Sequence, residues 1–116
     1  MTIVLHGIPN CDTVKKARTW LDGRGVAYSF HDYKKQGVDE TALRAWVGQA
    51  GWEKLLNRAG TTFRKLPDDQ REGIDAEKAV AIMLANPSVI KRPVVTGAGA
   101  LIVGFKPDEW AAQFGQ

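Results

Sequence analysis

Thr2-Ile3-Val4-Leu5-His6-Gly7-Ile8-Pro9-Asn10-Cys11-Asp12-Thr13-Val14-Lys15-Lys16-Ala17 passes from a short apolar run, through a turn, into a helical pattern. Ile3 to Leu5 read as a buried strand. Gly7, Pro9 and Asn10 are turn residues, and helical spacing begins just after them. Cys11, the one cysteine of the chain, therefore falls at the start of a helix. Unpaired backbone N–H groups and the positive end of the helix dipole at such a place favour thiolate over thiol, and the thiolate is the nucleophile. A free cysteine is more often a small buried hydrophobe. Here the polar flanks Asn10 and Asp12 and the loop setting favour chemistry.

Working outward, Val14, Ala17, Arg18 and Leu21 keep helical spacing, with Gly23 and Gly25 ending the helix. Val26, Tyr28 and Phe30 then alternate with Ala27, Ser29 and His31 at the period of a strand. Strand, helix and strand form a βαβ unit, and a right-handed crossover makes the two strands parallel. From Lys34 to Pro87 the pattern is mostly helical. Asp39 is placed to cap a helix carrying Leu43, Trp46, Val47 and Ala50, and Asp75 a helix carrying Ala79, Ile82 and Met83. Gly51 separates the first of these from a short apolar face of Trp52, Leu55 and Leu56, and residues 60–67 read as a loop. In the last third, Val94-Val95-Thr96 and Leu101-Ile102-Val103 flank Gly97-Ala98-Gly99-Ala100, a hairpin signature. Pro107 suits the first turn of a closing helix with Trp110 and Phe114. The fold class is thus α/β with a mixed sheet, β-α-β plus β-β-α, with a helical block between.

The 116 residues suit a single domain, 1–116, with apolar residues at 44% and charged residues at 25%, ordinary for a water-soluble globule. One cysteine excludes an internal disulfide framework and points to a reducing compartment, the cytoplasm. Neither a signal peptide nor a transmembrane helix is expected, so no membrane partner is either. The net charge of +3 is spread over mixed charges with no block of one sign. This argues against nucleic acid and for attraction of small anions.

Three basic groupings are candidate anion contacts. Arg92 precedes Pro93 at the start of a strand, where a proline marks an edge, a first residue or a cis turn. Arg58, Arg64 and Lys65 bracket the Gly60-Thr61-Thr62 segment. Lys106 follows Gly104-Phe105 and precedes Pro107. Taken singly, each is as well explained by solvated surface charge. No metal site is expected, because His6, His31 and Cys11 lack ligand spacing. A phosphate-binding loop is unsupported, since no Lys-Ser/Thr follows Gly97 and Gly99. The tryptophans at 20, 46, 52 and 110 fit apolar helix faces.

Together, the Gly7-Ile8-Pro9-Asn10-Cys11-Asp12-Thr13 loop, the stretch 55–66, Ile90-Lys91-Arg92-Pro93 and Gly104-Phe105-Lys106-Pro107 resemble the arsenate reductase (ArsC/Spx) family, YffB-type branch. The resemblance covers essentially the whole chain. It implies a thioredoxin-like fold with a helical insertion at about 34–88, Cys11 as the catalytic residue, and Pro93 as a cis-proline opposite it. Arg92, Lys106, Arg64, Arg58 and Asn10 become candidate binders of glutathione or substrate. Three positions depart from arsenate reductases proper. Asn57, beside Arg58, and Lys106 stand where that group has arginines, and Gly7 stands where it has a histidine. The bidentate fork is lost at one position and a charge at another, which argues against efficient arsenate reduction.

The resemblance thus implies a glutathione-dependent thiol–disulfide reductase in which Cys11 forms a mixed disulfide. No cofactor is tightly bound, glutathione is the thiol co-substrate, and glutaredoxin is a further candidate donor. The substrate is a small anion or disulfide, and the chain is expected to be a monomer. Alternatives are an arsenate reductase proper, or a non-enzymatic Spx-like regulator that binds a partner such as RNA polymerase. The Cys-x-x-Cys switch of Spx-like proteins is absent, because Cys11-Asp12-Thr13-Val14 holds no second thiol.

Overall fold

The computed structural model describes residues 2–114, so Met1, Gly115 and Gln116 of the expected domain lie outside the described residues. In chain order, β1 (Val4–Gly7), α1 (Asp12–Gly23), β2 (Ser29–Asp32) and α2 (Tyr33–Gln36) come first. Five helices follow: α3 (Glu40–Ala50), α4 (Trp52–Leu55), α5 (Thr61–Arg64), α6 (Asp68–Arg71) and α7 (Ala76–Ala85). A 3-10 turn (Pro87–Val89), β3 (Val94–Thr96), β4 (Ile102–Val103) and α8 (Pro107–Phe114) close the chain. Two compact units result, Met1–Gln36 with Arg92–Gln116, and Gly37–Lys91.

The first unit is built on a four-stranded sheet of order β2-β1-β3-β4. β1 and β2 are parallel, with Val4 opposite Ser29 and Gly7 opposite Asp32. β3 runs antiparallel to both β1 and β4. Val14, Ala17 and Leu21 recur at i, i+3 and i+7, so one stripe of α1 meets Leu5, Val95 and Trp110 in a closed core. Burial of each large aliphatic side chain there contributes about 1.5–3 kcal/mol. Trp110 anchors α8 and donates its indole N–H to the Gly104 carbonyl at 3.0 Å. The hairpin expected around Gly97 is present as β3 and β4. Gly97 has φ +86, and a Cβ there would sit 1.7 Å from the Thr2 carbonyl oxygen, so only glycine fits.

β2 begins later than the alternation from Val26 predicts. The Val26 N–H donates to the Leu21 carbonyl at 3.1 Å, which ties this residue to the end of α1. Ladder pairing starts only where Ser29 N–H reaches the Ile3 carbonyl at 2.9 Å.

In the second unit, Asp39 and Asp75 cap their helices as expected, accepting from Ala42 N–H at 2.9 Å and Lys78 N–H at 2.8 Å. Arg44 on α3 bridges to Glu77 on α7 at 2.9 Å, and Leu43, Trp46, Leu55, Val80, Ile82 and Met83 are buried. The loop expected at 60–67 instead holds a helical turn, α5. Burial of Phe63 there outweighs the weak helix propensity of the adjoining Gly60, Thr61 and Thr62. Among the described residues, no helix is long and apolar enough to cross a membrane.

Candidate functional site

Strand directions bring four chain segments to one end of the sheet. β1 and β2 both point toward it, delivering the Gly7–Cys11 loop and Asp32-Tyr33. β3 starts there with Arg92-Pro93 before it. β4 ends there, and the Gly104 N–H donates to the Pro93 carbonyl at 2.8 Å, extending that pairing toward Lys106.

Cys11 is the N-cap residue of α1, with extended backbone (φ −94, ψ 124) and no capping hydrogen bond from its side chain. Its N–H donates to the Ile8 carbonyl at 3.2 Å, and its carbonyl accepts the first helical bond, from Lys15 N–H, at 2.9 Å. The half-buried thiol packs beside the core. It stands where the first-turn N–H groups of a twelve-residue helix have no carbonyl of their own helix to pair with. Asn10, next to it, is exposed.

The Arg92–Pro93 peptide is cis, Pro93 is buried and Arg92 is half-buried. Lys106 precedes α8, its carbonyl accepting from Trp110 N–H at 2.9 Å. Phe105 packs edge-on against Trp110 with ring centroids 4.7 Å apart, which fixes the loop carrying Lys106. Its ammonium lies 3.8 Å from Glu109 with both side chains exposed, a pairing weak enough to yield to a bound anion. Arg58 and Arg64 belong to the second unit. Arg58 lies with its guanidinium 5.5 Å from the Trp52 ring centre, and Arg64 ends α5; both are exposed. At Asn57, the side-chain oxygen accepts from Ala59 N–H at 3.2 Å, so this residue shapes the local turn.

Sequence reasoning missed Tyr33. It follows β2 at the same sheet end, with its ring 5.8 Å from that of His31 and 6.4 Å from that of His6. His6 Nε2 lies 3.2 Å from Thr96 Oγ1 across the ladder. Burial first, and the charge of His31 second, pull the His6 imidazole down to about 4. Burial pushes the Tyr33 phenol above its ordinary range, while the Arg92 charge acts in the opposite direction. A buried phenol that closes a strand has no pattern of its own, so only the sheet register could have found it. Among the described residues, no group of three or more His, Cys, Asp or Glu side chains is placed to hold a metal ion.

The ArsC family model matches residues 6–113, from the strand before the Cys11 loop to the last helix. The chain belongs to the ArsC family. The solved YffB (PA3664) protein is 57% identical, with a TM-score of 0.94 over 97% of this chain and 99% of that one. An arsenate reductase-related protein from Brucella melitensis is 53% identical, with a TM-score of 0.78 over 100% and 97% of the two chains. The global transcriptional regulator Spx of Streptococcus agalactiae is 27% identical over 92% of this chain and 79% of its own length. The sheet is accordingly the thioredoxin-like sheet of ArsC proteins, and YffB is the kind of ArsC protein the chain is similar to. Proteins similar to this chain include arsenate reductase-related proteins and regulators, and the family supports a thiol-reductase type of function.

Proposed function

We propose that this ArsC-family chain is a thiol–disulfide reductase that works through Cys11 and takes its second thiol from glutathione. The observation that carries the reading is the sheet end. Cys11 starts a long helix there, beside the segments that bear Arg92-cis-Pro93 and Lys106. In the first step the Cys11 thiolate attacks a disulfide, forming a mixed disulfide and releasing one substrate thiolate. A glutathione thiolate then attacks the substrate sulfur of that adduct, regenerating Cys11 and leaving a glutathione–substrate disulfide. A second glutathione resolves this into free substrate thiol and oxidised glutathione. Two glutathiones are oxidised for each disulfide reduced, and no second cysteine of the chain is needed. Glutaredoxin is an alternative donor of the resolving thiol.

Arg92, with Lys106, supplies positive charge for the carboxylates of the thiol partner, and Asn10 flanks the sulfur. The family resemblance adds Arg58 and Arg64 as further basic candidates. Such chemistry belongs in a reducing compartment such as the cytoplasm. The test is glutathione-dependent reduction of a small neutral disulfide, coupled to glutathione reductase. Wild type turns over and Cys11→Ser does not, with the fold of the variant intact by circular dichroism. Equal rates in the two proteins contradict the reading.

The likeness to Spx favours one second reading, a partner-binding regulator. That reading predicts stable capture of RNA polymerase by both wild type and Cys11→Ser, with no disulfide turnover. Arsenate-dependent turnover with glutathione and glutaredoxin, at rates matching the disulfide reaction, marks an arsenate reductase proper.

A further inference from the structure

β2 is the outer strand of the sheet, and part of its edge is open. Ser29 N–H points inward to the Ile3 carbonyl at 2.9 Å, so the alternation of a parallel ladder turns the N–H and C=O of Phe30 outward. Two residues on, the Asp32 N–H also faces outward, where the Gln36 side chain accepts it at 3.2 Å. Among the described residues no side chain covers the Phe30 backbone in that way, and neither proline nor bulge blunts the edge there.

Arg18 on α1 lies over this open stretch. Its guanidinium stacks 4.3 Å from the centre of the Phe30 ring, and its Nε–H donates to the Tyr28 hydroxyl at 3.1 Å. Arg18 is half-buried and joins no ion pair among the described residues, although Asp22 stands one turn along the same helix. A guanidinium fixed by a ring and a phenol, partly out of water and without a counter-charge, is matched by a carboxylate. The Tyr28 hydroxyl accepts from Arg18, so its own proton is left to donate, and the two groups are close enough to serve one carboxylate. An open cavity of about 210 Å³, lined by Thr2, Ile3, Ala27, Tyr28 and Ser29, lies where β2 begins and leaves room for a flanking side chain.

We propose that the β2 edge docks an extended acidic peptide segment of another protein, which adds to the sheet as an outer strand and places a glutamate on Arg18 and Tyr28. Neighbouring strands lie about 4.8 Å apart and paired residues share a face. The residue opposite Phe30 therefore directs its side chain to the face that α1 covers, where Arg18 waits. Backbone bonds to Phe30 supply affinity, and the carboxylate supplies selection. This surface goes beyond the Cys11 reaction and does not depend on it.

The probes are acetylated, amidated peptides of sequence Thr-Val-X-Val-Thr, with Glu, Gln or Lys as X, titrated into the isotope-labelled full chain and followed by amide NMR. The Glu peptide is expected to bind about tenfold more tightly than the Gln peptide, with the Lys peptide weakest, and to shift the Phe30 amide and Arg18 Nε signals. Arg18→Gln, which keeps a helix-forming side chain, erases the preference for Glu while weak binding at Phe30 persists. Tyr28→Phe keeps the ring and lowers the preference about threefold. Amide spectra of both variants that otherwise overlay on wild type show the fold intact. Equal affinities of the Glu and Gln peptides for wild type overturn the proposal, as does a preference that survives in Arg18→Gln. Shifts that leave Phe30 untouched, or no binding of any of the three peptides, overturn it too. So does a concentration-dependent Phe30 shift without peptide, which assigns the edge to a second copy of the chain.

Discussion

Burial holds the imidazole of His6 neutral down to about 4, so its proton is taken up by the unfolded chain long before the folded one. Stability from this group is complete above pH 6.5, the ordinary histidine value, and falls as pH drops toward 4, where the folded imidazole also protonates. Discounted for partial exposure, the loss over that interval is about 2 kcal/mol. Urea unfolding at pH 7, 5.5 and 4 measures it, and His6→Gln flattens the profile while keeping a polar partner for Thr96. A profile equally steep in the variant assigns the pH dependence elsewhere. For chemistry, Arg92→Lys retains charge and loses the planar fork. It is expected to lower kcat/KM for oxidised glutathione about tenfold, with less effect on a neutral disulfide. Lys106→Ala, an exposed cation already shared with Glu109, is expected to cost less than Arg92→Lys.

Each helix and turn that the sequence patterning anticipated has a local chemical reason, and those reasons can be tested one by one. Asp39 and Asp75 each satisfy an N–H at a helix start, so Asp39→Ala and Asp75→Ala are each expected to cost about 1 kcal/mol in urea unfolding. Gly97→Ala forces a side chain onto the Thr2 carbonyl at positive φ, and is expected to cost more than about 2 kcal/mol. Gly23→Ala, at the end of α1 with open space around it, is expected to be neutral or to stabilise by up to about 1 kcal/mol. Capping aspartates, a glycine hairpin and a Pro-initiated helix are legible because they act within a few residues. α5 was not, since Gly60-Thr61-Thr62 reads as a breaker and only the burial of Phe63 decides otherwise. The late start of β2 was hidden likewise, in the bond that ties Val26 back to Leu21.

Over the whole molecule, the order of strands converts four separated stretches of sequence into one sheet end, and the site follows from that order. Cys11, Arg92, Pro93 and Lys106 were legible because each sits in a short, distinctive turn. Tyr33 was not, because its place at that end depends on burial and register, which a single tyrosine after Asp32 does not announce. Arg58 and Arg64 read alike in sequence, and the structure assigns both to the second unit, Arg58 lying near Trp52. The modest excess of positive charge acts on the molecule as a whole. Exchange with oxidised glutathione is expected to slow by about threefold between low salt and 0.5 M salt, to an extent a neutral disulfide does not share, as stopped-flow mixing would show. The most direct measurement is the intact mass of the protein after mixing with oxidised glutathione. The account predicts one glutathionyl adduct, located at Cys11, absent in Cys11→Ser and removed by excess reduced glutathione. Wild-type protein that stays unmodified, or an adduct that persists in Cys11→Ser, contradicts it.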